Sequence, residues 1–103
     1  MDLYNRIIAH RDDIEGLARE HKARNVRVFG SLARGEADEA SDLDLLVDVE
    51  PDATLLDLGA LLMELQELLG CRVDIVTEEG LRERIREAVV KGAVPLQELA
   101  AQV

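Results

Sequence analysis

The strongest constraint on the fold of this chain is Gly30-Ser31, followed eleven residues later by the pair Asp42 and Asp44. Residues 26–29 before the turn alternate in the manner of a β-strand, and the two aspartates open a second alternating run. Successive side chains of a strand point to opposite faces, so Asp42 and Asp44 share one face. The pattern predicts two strands joined by a polar connection, with paired carboxylates at the start of the second.

The paired carboxylates indicate a cation site. Two carboxylates side by side repel each other unless a positive charge stands between them. Mg²⁺ prefers oxygen ligands and is often held by one or two carboxylates together with substrate phosphates. The turn at Gly30-Ser31 offers backbone N–H groups and a hydroxyl, which suit a phosphate. Together these features favour magnesium-dependent nucleotide chemistry.

Size and composition exclude several classes. At 103 residues we expect one small domain, 1–103, with one modest core. The net charge is −10 and the aromatic residues are Tyr4 and Phe29, so direct nucleic-acid binding is not expected. A single cysteine, Cys71, allows no internal disulfide and is expected to fill space at a strand edge. No signal peptide and no apolar run of about 20 residues is present, so we predict a cytoplasmic protein without membrane contact.

Apolar spacing predicts the elements and their order. We expect helices at 2–22, 54–69 and 79–91, strands at 26–29, 43–49 and 72–76, a polar loop at 35–41, and a short edge strand at 94–96. Asp2 and Thr77 are predicted to cap helices, and Gly70 to end one. The residues predicted to face inward are Leu55, Leu58, Leu62, Leu65 and Leu69 in the middle helix and Leu81, Ile85, Ala88 and Val89 in the last. The fold class is α/β (α+β), a small mixed sheet of three to four strands with helices packed on it, in the order α-β-β-α-β-α.

A third aspartate extends the candidate site. Asp74 lies on the polar face of the strand at 72–76, and it would stand about 5 Å from the pair if the two strands are neighbours. Three converging carboxylates could hold two divalent ions for displacement of pyrophosphate. Asp48 is expected to be solvated, as are His10 and His21. Two roles are open for Arg34: a surface ion pair with Glu36 or Asp38, or neutralisation of charge at the site.

The segments Gly30-Ser31-Leu32-Ala33-Arg34-Gly35-Glu36 and Ser41-Asp42-Leu43-Asp44-Leu45-Leu46-Val47 resemble the polymerase-beta-like nucleotidyltransferases. Within that superfamily the chain is similar to the minimal nucleotidyltransferases. The similarity extends through Arg72-Val73-Asp74-Ile75-Val76 and the last helix, and so over nearly the whole chain. Each of these elements alone is weak, whereas together they are specific.

The resemblance implies a fold and residue roles. The fold would be that of the polymerase-beta-like nucleotidyltransferases. Gly30 and Ser31 would contact the triphosphate of ATP. The carboxylates of Asp42, Asp44 and Asp74 would bind Mg²⁺, with two ions expected. Arg34 and Ser41 also fall on motif positions of the nucleotide site.

The resemblance also implies a partner. Larger relatives carry a helical acceptor-binding domain, for which we expect no counterpart in residues 1–103. Minimal nucleotidyltransferases are typically paired with a HEPN-domain RNase toxin. The chain would then be an antitoxin, a protein adenylyltransferase that transfers AMP from ATP to a tyrosine of the toxin. Two alternatives stay open. One is an antitoxin that acts by binding and occlusion, and the other is the catalytic subunit of a small-molecule transferase of the aminoglycoside-modifying kind.

Overall fold

A computed structural model describes residues 2–36 and 41–99, which form four α-helices, a four-stranded sheet and a short 3-10 helix. In chain order the elements are α1 (Leu3–Ala9), α2 (Arg11–Glu20), β1 (Ala23–Phe29), β2 (Leu43–Val49), α3 (Leu55–Leu69), β3 (Val73–Val76), α4 (Glu83–Gly92), β4 (Val94–Pro95) and the 3-10 helix Leu96–Glu98. The predicted α+β class is confirmed. The assignment of 1–103 to one domain stays a prediction. Residues 37–40 of the predicted polar loop, with Asp38, lie outside the described residues.

The sheet is mixed, with the strand order β3-β2-β1-β4. β2 and β3 are parallel because α3 carries the chain across between them, whereas β1 is antiparallel to both of its neighbours. The short strand β4 lies at the edge beside β1, which confirms the position predicted from Pro95. In the register, Asp44 lies opposite Asp74 on one side and Phe29 on the other.

One face of the sheet packs on the helices and forms the core. Leu43, Leu45 and Val47 of β2 are buried there. The same cluster takes in buried residues of the helices and of the C-terminal segment: Leu3, Ile7, Ile14, Ala18, Leu61, Leu65, Leu69, Leu96 and Leu99. Side chains alternate along a strand, so Asp44 points away from this core. The helices therefore stabilise one face of the sheet, and the candidate site occupies the other.

The ends of the helices confirm part of the capping predictions. The Asp2 carboxylate accepts a hydrogen bond from the Asn5 N–H at 2.8 Å, and Gly70 ends α3 in the left-handed conformation with φ of 66°. Thr77 does not cap a helix, since its hydroxyl accepts from the Gly80 N–H in a turn and Arg82 occupies the N-cap position of α4. The last helix therefore begins four residues later than predicted.

The first predicted helix is two helices. His10 separates α1 from α2, and its N–H donates to the carbonyls of Arg6, Ile7 and Ile8. Its ring lies 2.9 Å from the Asp13 carboxylate. His21, predicted to be solvated, is instead largely covered and pairs with Glu64 of α3. That pair joins the end of α2 to the middle of α3.

The inward faces predicted for two helices are partly wrong. No residue of α4 is buried, and Ile85 remains 47% exposed. In α3 the buried residues are Leu61, Leu65 and Leu69, whereas Leu55 is 87% exposed. The differences in α3 and α4 leave apolar side chains on the outside of the molecule.

Within the described residues, no helix is long and apolar enough to cross a membrane.

Candidate active site

Two aspartates stand side by side on the face of the sheet that is turned away from the helical core. Asp44 of β2 and Asp74 of β3 are partners in the parallel register, and neighbouring strands lie about 4.8 Å apart. Asp44 is half-buried and Asp74 is exposed. Asp42 is exposed just before β2 begins. The predicted neighbourhood of the two strands is confirmed, and it places Asp74 beside the Asp42 and Asp44 segment.

The surroundings of Asp44 disfavour its negative charge. Burial raises the pKa of Asp44, and the negative charges of Asp74 and Asp42 raise it further. The guanidinium of Arg34 acts in the opposite direction and lowers this pKa. The ionised form of Asp44 is therefore disfavoured by its surroundings. A cation bound between these groups would relieve the repulsion.

The carboxylates do not form a ready-made metal cluster. Among residues 2–36 and 41–99, no three His, Cys, Asp or Glu side chains are grouped closely enough to hold a metal ion. Within the same residues, neither the Asp44 carboxylate nor the Asp74 carboxylate has a hydrogen bond or an ion pair. A donor set made only of carboxylate oxygens fits Mg²⁺ in chemical type. Exposed Asp42 and Asp74 have the rotamer freedom to turn toward a common ion.

The glycine turn lies directly against the Asp44 carboxylate. β1 ends at Phe29, and Gly30 follows with φ of 75°, a conformation that favours glycine. A Cβ atom on Gly30 would overlap Oδ2 of Asp44 and would lie 3.3 Å from its Cγ. Because Gly30 has no side chain, the Asp44 carboxylate can occupy this position. The predicted link between the turn and the acid pair has a geometric basis.

The backbone of the turn leaves a run of amides available. The N–H groups of Arg34, Gly35 and Glu36 donate to carbonyls of the same turn, at 2.9–3.2 Å. In the described part of the chain, the N–H groups of residues 31–33 donate no backbone hydrogen bond. Leu32 is buried and anchors the turn in the core. Consecutive amides of this kind are suited to binding phosphate oxygens. The sequence predicted phosphate contacts only for Gly30 and Ser31, and the structure extends the available amides to residues 32 and 33.

Arg34 and Ser41 flank the aspartates. The Arg34 guanidinium pairs with the Glu36 carboxylate at 3.0 Å, and both side chains are well exposed. This is the surface ion pair that the sequence allowed, yet the Arg34 charge also reaches Asp44 and lowers its pKa. Ser41 is half-buried immediately before Asp42. The two roles considered for Arg34 are therefore compatible.

Asp48 is separated from the other carboxylates by its partners. Its two oxygens accept hydrogen bonds from Arg27 at 2.8 Å and from Asn25 at 2.9 Å. The Arg27 side chain is only 12% exposed and also approaches Glu78 at 3.8 Å. Asp48 was expected to be solvated, and its carboxylate is instead hydrogen-bonded to two side chains of β1. Arg27 was missed by sequence reasoning, although a charge at an alternate position of an apolar strand is the signal that marks it.

A cavity of about 520 Å³ lies away from Asp42, Asp44 and Asp74. Its lining residues come from the carboxyl ends of β2 and β3 and include Asp48, Glu50, Glu78 and Glu79. Asp44 and Asp74 stand at the amino ends of the same strands. A cavity lined by four carboxyl groups repels a triphosphate. The region of Gly30 and the exposed Asp42 and Asp74 is therefore the better candidate for nucleotide chemistry.

Comparison with known proteins gives matches to a family model, to protein relatives and to solved structures. Residues 12–96 match the nucleotidyltransferase domain family. A protein adenylyltransferase, MntA, from Thermococcus cleftensis is 40% identical over 91 residues, covering 81% of this chain and 92% of that protein. A solved structure of a candidate minimal nucleotidyltransferase has a TM-score of 0.82 and 54% identity, covering 92% of this chain and 96% of the other. A toxin-antitoxin crystal structure with AMP-PNP shares the fold, with a TM-score of 0.71 and 24% identity over 82% of this chain and 70% of that chain.

Proposed function

Because this chain belongs to the nucleotidyltransferase domain family, we propose that it is a Mg²⁺-dependent protein adenylyltransferase that serves as an antitoxin. Its acceptor would be a tyrosine of a HEPN-domain RNase toxin, and ATP would supply the AMP. One observation carries the proposal: Asp44 and Asp74 lie in register on the sheet face away from the helical core, with the Gly30 turn against Asp44. We place this activity in the cytoplasm, where the toxin would meet its RNA.

The proposed reaction is an in-line displacement at the α-phosphorus of ATP. The tyrosine oxygen forms a bond to that phosphorus while the bond to the β-phosphate oxygen breaks, so pyrophosphate leaves and the hydroxyl proton is lost to solvent. Mg²⁺, when bound, would neutralise the triphosphate and lower the pKa of the attacking hydroxyl. Asp42, Asp44 and Asp74 would supply its anionic ligands.

The turn would hold the other end of the nucleotide. The amides of residues 31–33 and the Ser31 hydroxyl would donate to phosphate oxygens. Gly30 keeps a side chain out of the space that the Asp44 carboxylate needs. Arg34 would add positive charge near the phosphates, and Ser41 would stand beside the metal ligands. These positions are those expected from the family resemblance.

Relatives support a protein acceptor over a small molecule. The Thermococcus relative, matched over most of both chains, is named as a protein adenylyltransferase. A structure with the same fold is a toxin-antitoxin complex. Occlusion without transfer is the second candidate, favoured by the observation that the described residues hold no preformed metal cluster.

The test is labelling of the purified toxin. Wild-type protein with ATP and Mg²⁺ should add one AMP, or a small multiple, to the toxin as measured by intact mass, and EDTA should prevent it. The Asp42→Asn/Asp44→Asn double variant should still bind the toxin and add nothing. Tandem mass spectrometry should locate the adduct on a tyrosine.

Separation of the products distinguishes transfer from occlusion. Modified toxin, freed of this protein, should remain inactive as an RNase if transfer is the mechanism. Full recovery of RNase activity without a mass change would overturn transfer and leave occlusion. Labelling by the double variant equal to that by the wild type would remove the aspartates from the mechanism.

A further inference from the structure

Arg72 is a basic residue on the same face of the sheet as the aspartates, and the reaction described above does not use it. The Leu43 N–H donates to the Arg72 carbonyl at 2.9 Å, directly before the register pair of Asp44 and Asp74. Side chains alternate along a strand, so Arg72 and Asp74 point to the same face. Extended by two residues toward the start of β3, the same register places Arg72 beside Asp42.

The Arg72 guanidinium is uncommitted among the residues that the structure describes. The side chain is exposed, and no hydrogen bond or ion pair links it to residues 2–36 or 41–99. The positive charge that lowers the pKa of Asp44 is that of Arg34 and not that of Arg72. Arg72 therefore does not neutralise the Asp44 carboxylate, and its guanidinium is available to a substrate.

The strand order places Arg72 and the glycine turn on opposite sides of the aspartates. β2 lies between β1 and β3, and Asp44 of β2 is paired with Phe29, directly before Gly30, on one side and with Asp74 on the other. In an in-line displacement the attacking oxygen enters opposite the leaving oxygen. With pyrophosphate held at the turn, as proposed above, the attacking oxygen enters from the side of β3.

The β3 side of the sheet is also the side that a protein acceptor can reach. β3 is an edge strand, and in the described part of the chain no strand pairs with its outer side. On the opposite side of β2, by contrast, β1 is followed by β4 and the 3-10 helix. An acceptor oxygen that approaches over the start of β3 therefore meets Arg72 and Asp74.

We propose that Arg72 is the acceptor-side cation of this site, and that its guanidinium donates a hydrogen bond to the attacking tyrosine oxygen and favours the ionised phenol. The inference rests on the proposed transfer function and adds a residue to it. The tyrosine oxygen bonds to the α-phosphorus, the bond to the β-phosphate oxygen breaks, and the phenol proton goes to solvent. Arg72 gains and loses no proton, which suits a guanidinium because it stays charged at every working pH.

The first test separates the acceptor from the nucleotide in steady-state labelling of the purified toxin. Arg72→Gln should lower kcat/KM for the toxin at least about tenfold at neutral pH, because less of the phenol is ionised, and should leave the KM for ATP unchanged. Arg72→Lys should recover part of the rate, because it restores the positive charge. The matched control is Arg24→Gln, which removes the same charge from an exposed position opposite Asp48, at the other end of the sheet, and should behave as wild type.

The second test distinguishes contact with the phenol from attraction of the toxin. Single-turnover transfer at saturating ATP and toxin should rise with pH until the bound phenol is ionised. In Arg72→Gln this rise should move to higher pH by about one pH unit, so that the rates of the two proteins converge in alkaline solution. A docking role would instead lower the affinity for the toxin, measured by calorimetry without nucleotide, and leave the pH profile in place.

The results that would overturn the role of Arg72 differ from the result that would overturn transfer itself. Equal kcat/KM for the toxin in wild type and Arg72→Gln, an equal loss in Arg24→Gln, a raised KM for ATP or an unmoved pH profile would each remove Arg72 from the acceptor side. All of these outcomes require transfer by the wild type. A wild-type protein that transfers no AMP would refute the proposed function, and the role of Arg72 with it.

Discussion

A methyl group at Gly30 tests the link between the turn and the acid pair. Gly30 has φ of 75°, and a residue with a Cβ atom pays about 1–2 kcal/mol in that conformation. The added methyl also overlaps Oδ2 of Asp44, so the carboxylate must move. Gly30→Ala should therefore lower the free energy of unfolding by at least about 1–2 kcal/mol. A loss of 1 kcal/mol lowers the melting temperature by roughly 4–8 °C in a domain of this size.

Gly35→Ala is the matched control. Gly35 lies in the same turn with φ of 73°, but a Cβ atom there meets nothing within 4 Å. Both variants should lose similar stability from the backbone, as measured by thermal unfolding. Only Gly30→Ala displaces Asp44, so only it should lose most of the Mg²⁺-dependent AMP transfer to the toxin at a temperature where both proteins are folded.

Undiminished transfer by Gly30→Ala would refute the argument that the space at Gly30 positions Asp44. Equal loss of transfer in both would show that strain of the turn, and not the carboxylate, controls the reaction. Alanine adds a single methyl group at each position, so the two turn variants differ only in what that methyl group contacts.

Three further predictions follow from the charges and the turn. Because the pKa of Asp44 is raised above its ordinary 3.8, the folded state is destabilised as pH rises through that folded pKa; Asp44→Asn should melt higher than wild type at neutral pH, and the difference should vanish below the ordinary pKa. Mg²⁺ should raise the melting temperature of wild type and of Asp48→Asn, but not of Asp44→Asn, in thermal titrations. Ser31→Ala should raise the apparent KM for ATP in the labelling assay, and an unchanged KM would make the hydroxyl dispensable for phosphate binding.

Much of the fold follows from local patterns in the sequence. The alternation in β1 and β2, the stop at Gly70 and the edge position of Pro95 depend on short-range sterics, and all appear in the structure. The break at His10 carries no glycine or proline, so apolar spacing alone read residues 2–22 as one helix. The pairing of Asp44 with Asp74 required the parallel order of β2 and β3, which was only assumed from the sequence.

The faces of α3 and α4 show where periodicity stops being informative. A helical spacing of apolar residues says that a face exists, but not which element covers it. Residues of α1, α2 and α3, together with Leu96 and Leu99, cover the core face of the sheet. α4 consequently keeps an amphipathic pattern without any buried residue. The α3 register differed from prediction because leucines occupy both sides of the helix.

The surroundings of charged residues in the candidate site were also not predictable from the sequence. Asp44 and Asp48 both point away from the core from alternate positions of β2, and the sequence distinguishes them only by the motif around Asp44. In the structure the Asp48 carboxylate accepts hydrogen bonds from Arg27 and Asn25, whereas within the described residues the Asp44 and Asp74 carboxylates have no hydrogen bond and no ion pair. The chain thus places a cation beside one strand carboxylate and leaves two others in register against their mutual repulsion. A basic side chain between Asp44 and Asp74 would stabilise the fold, and the described residues provide none with a hydrogen bond or an ion pair to either carboxylate. This repelling pair of carboxylates is therefore the feature of the structure that most favours binding of a cation.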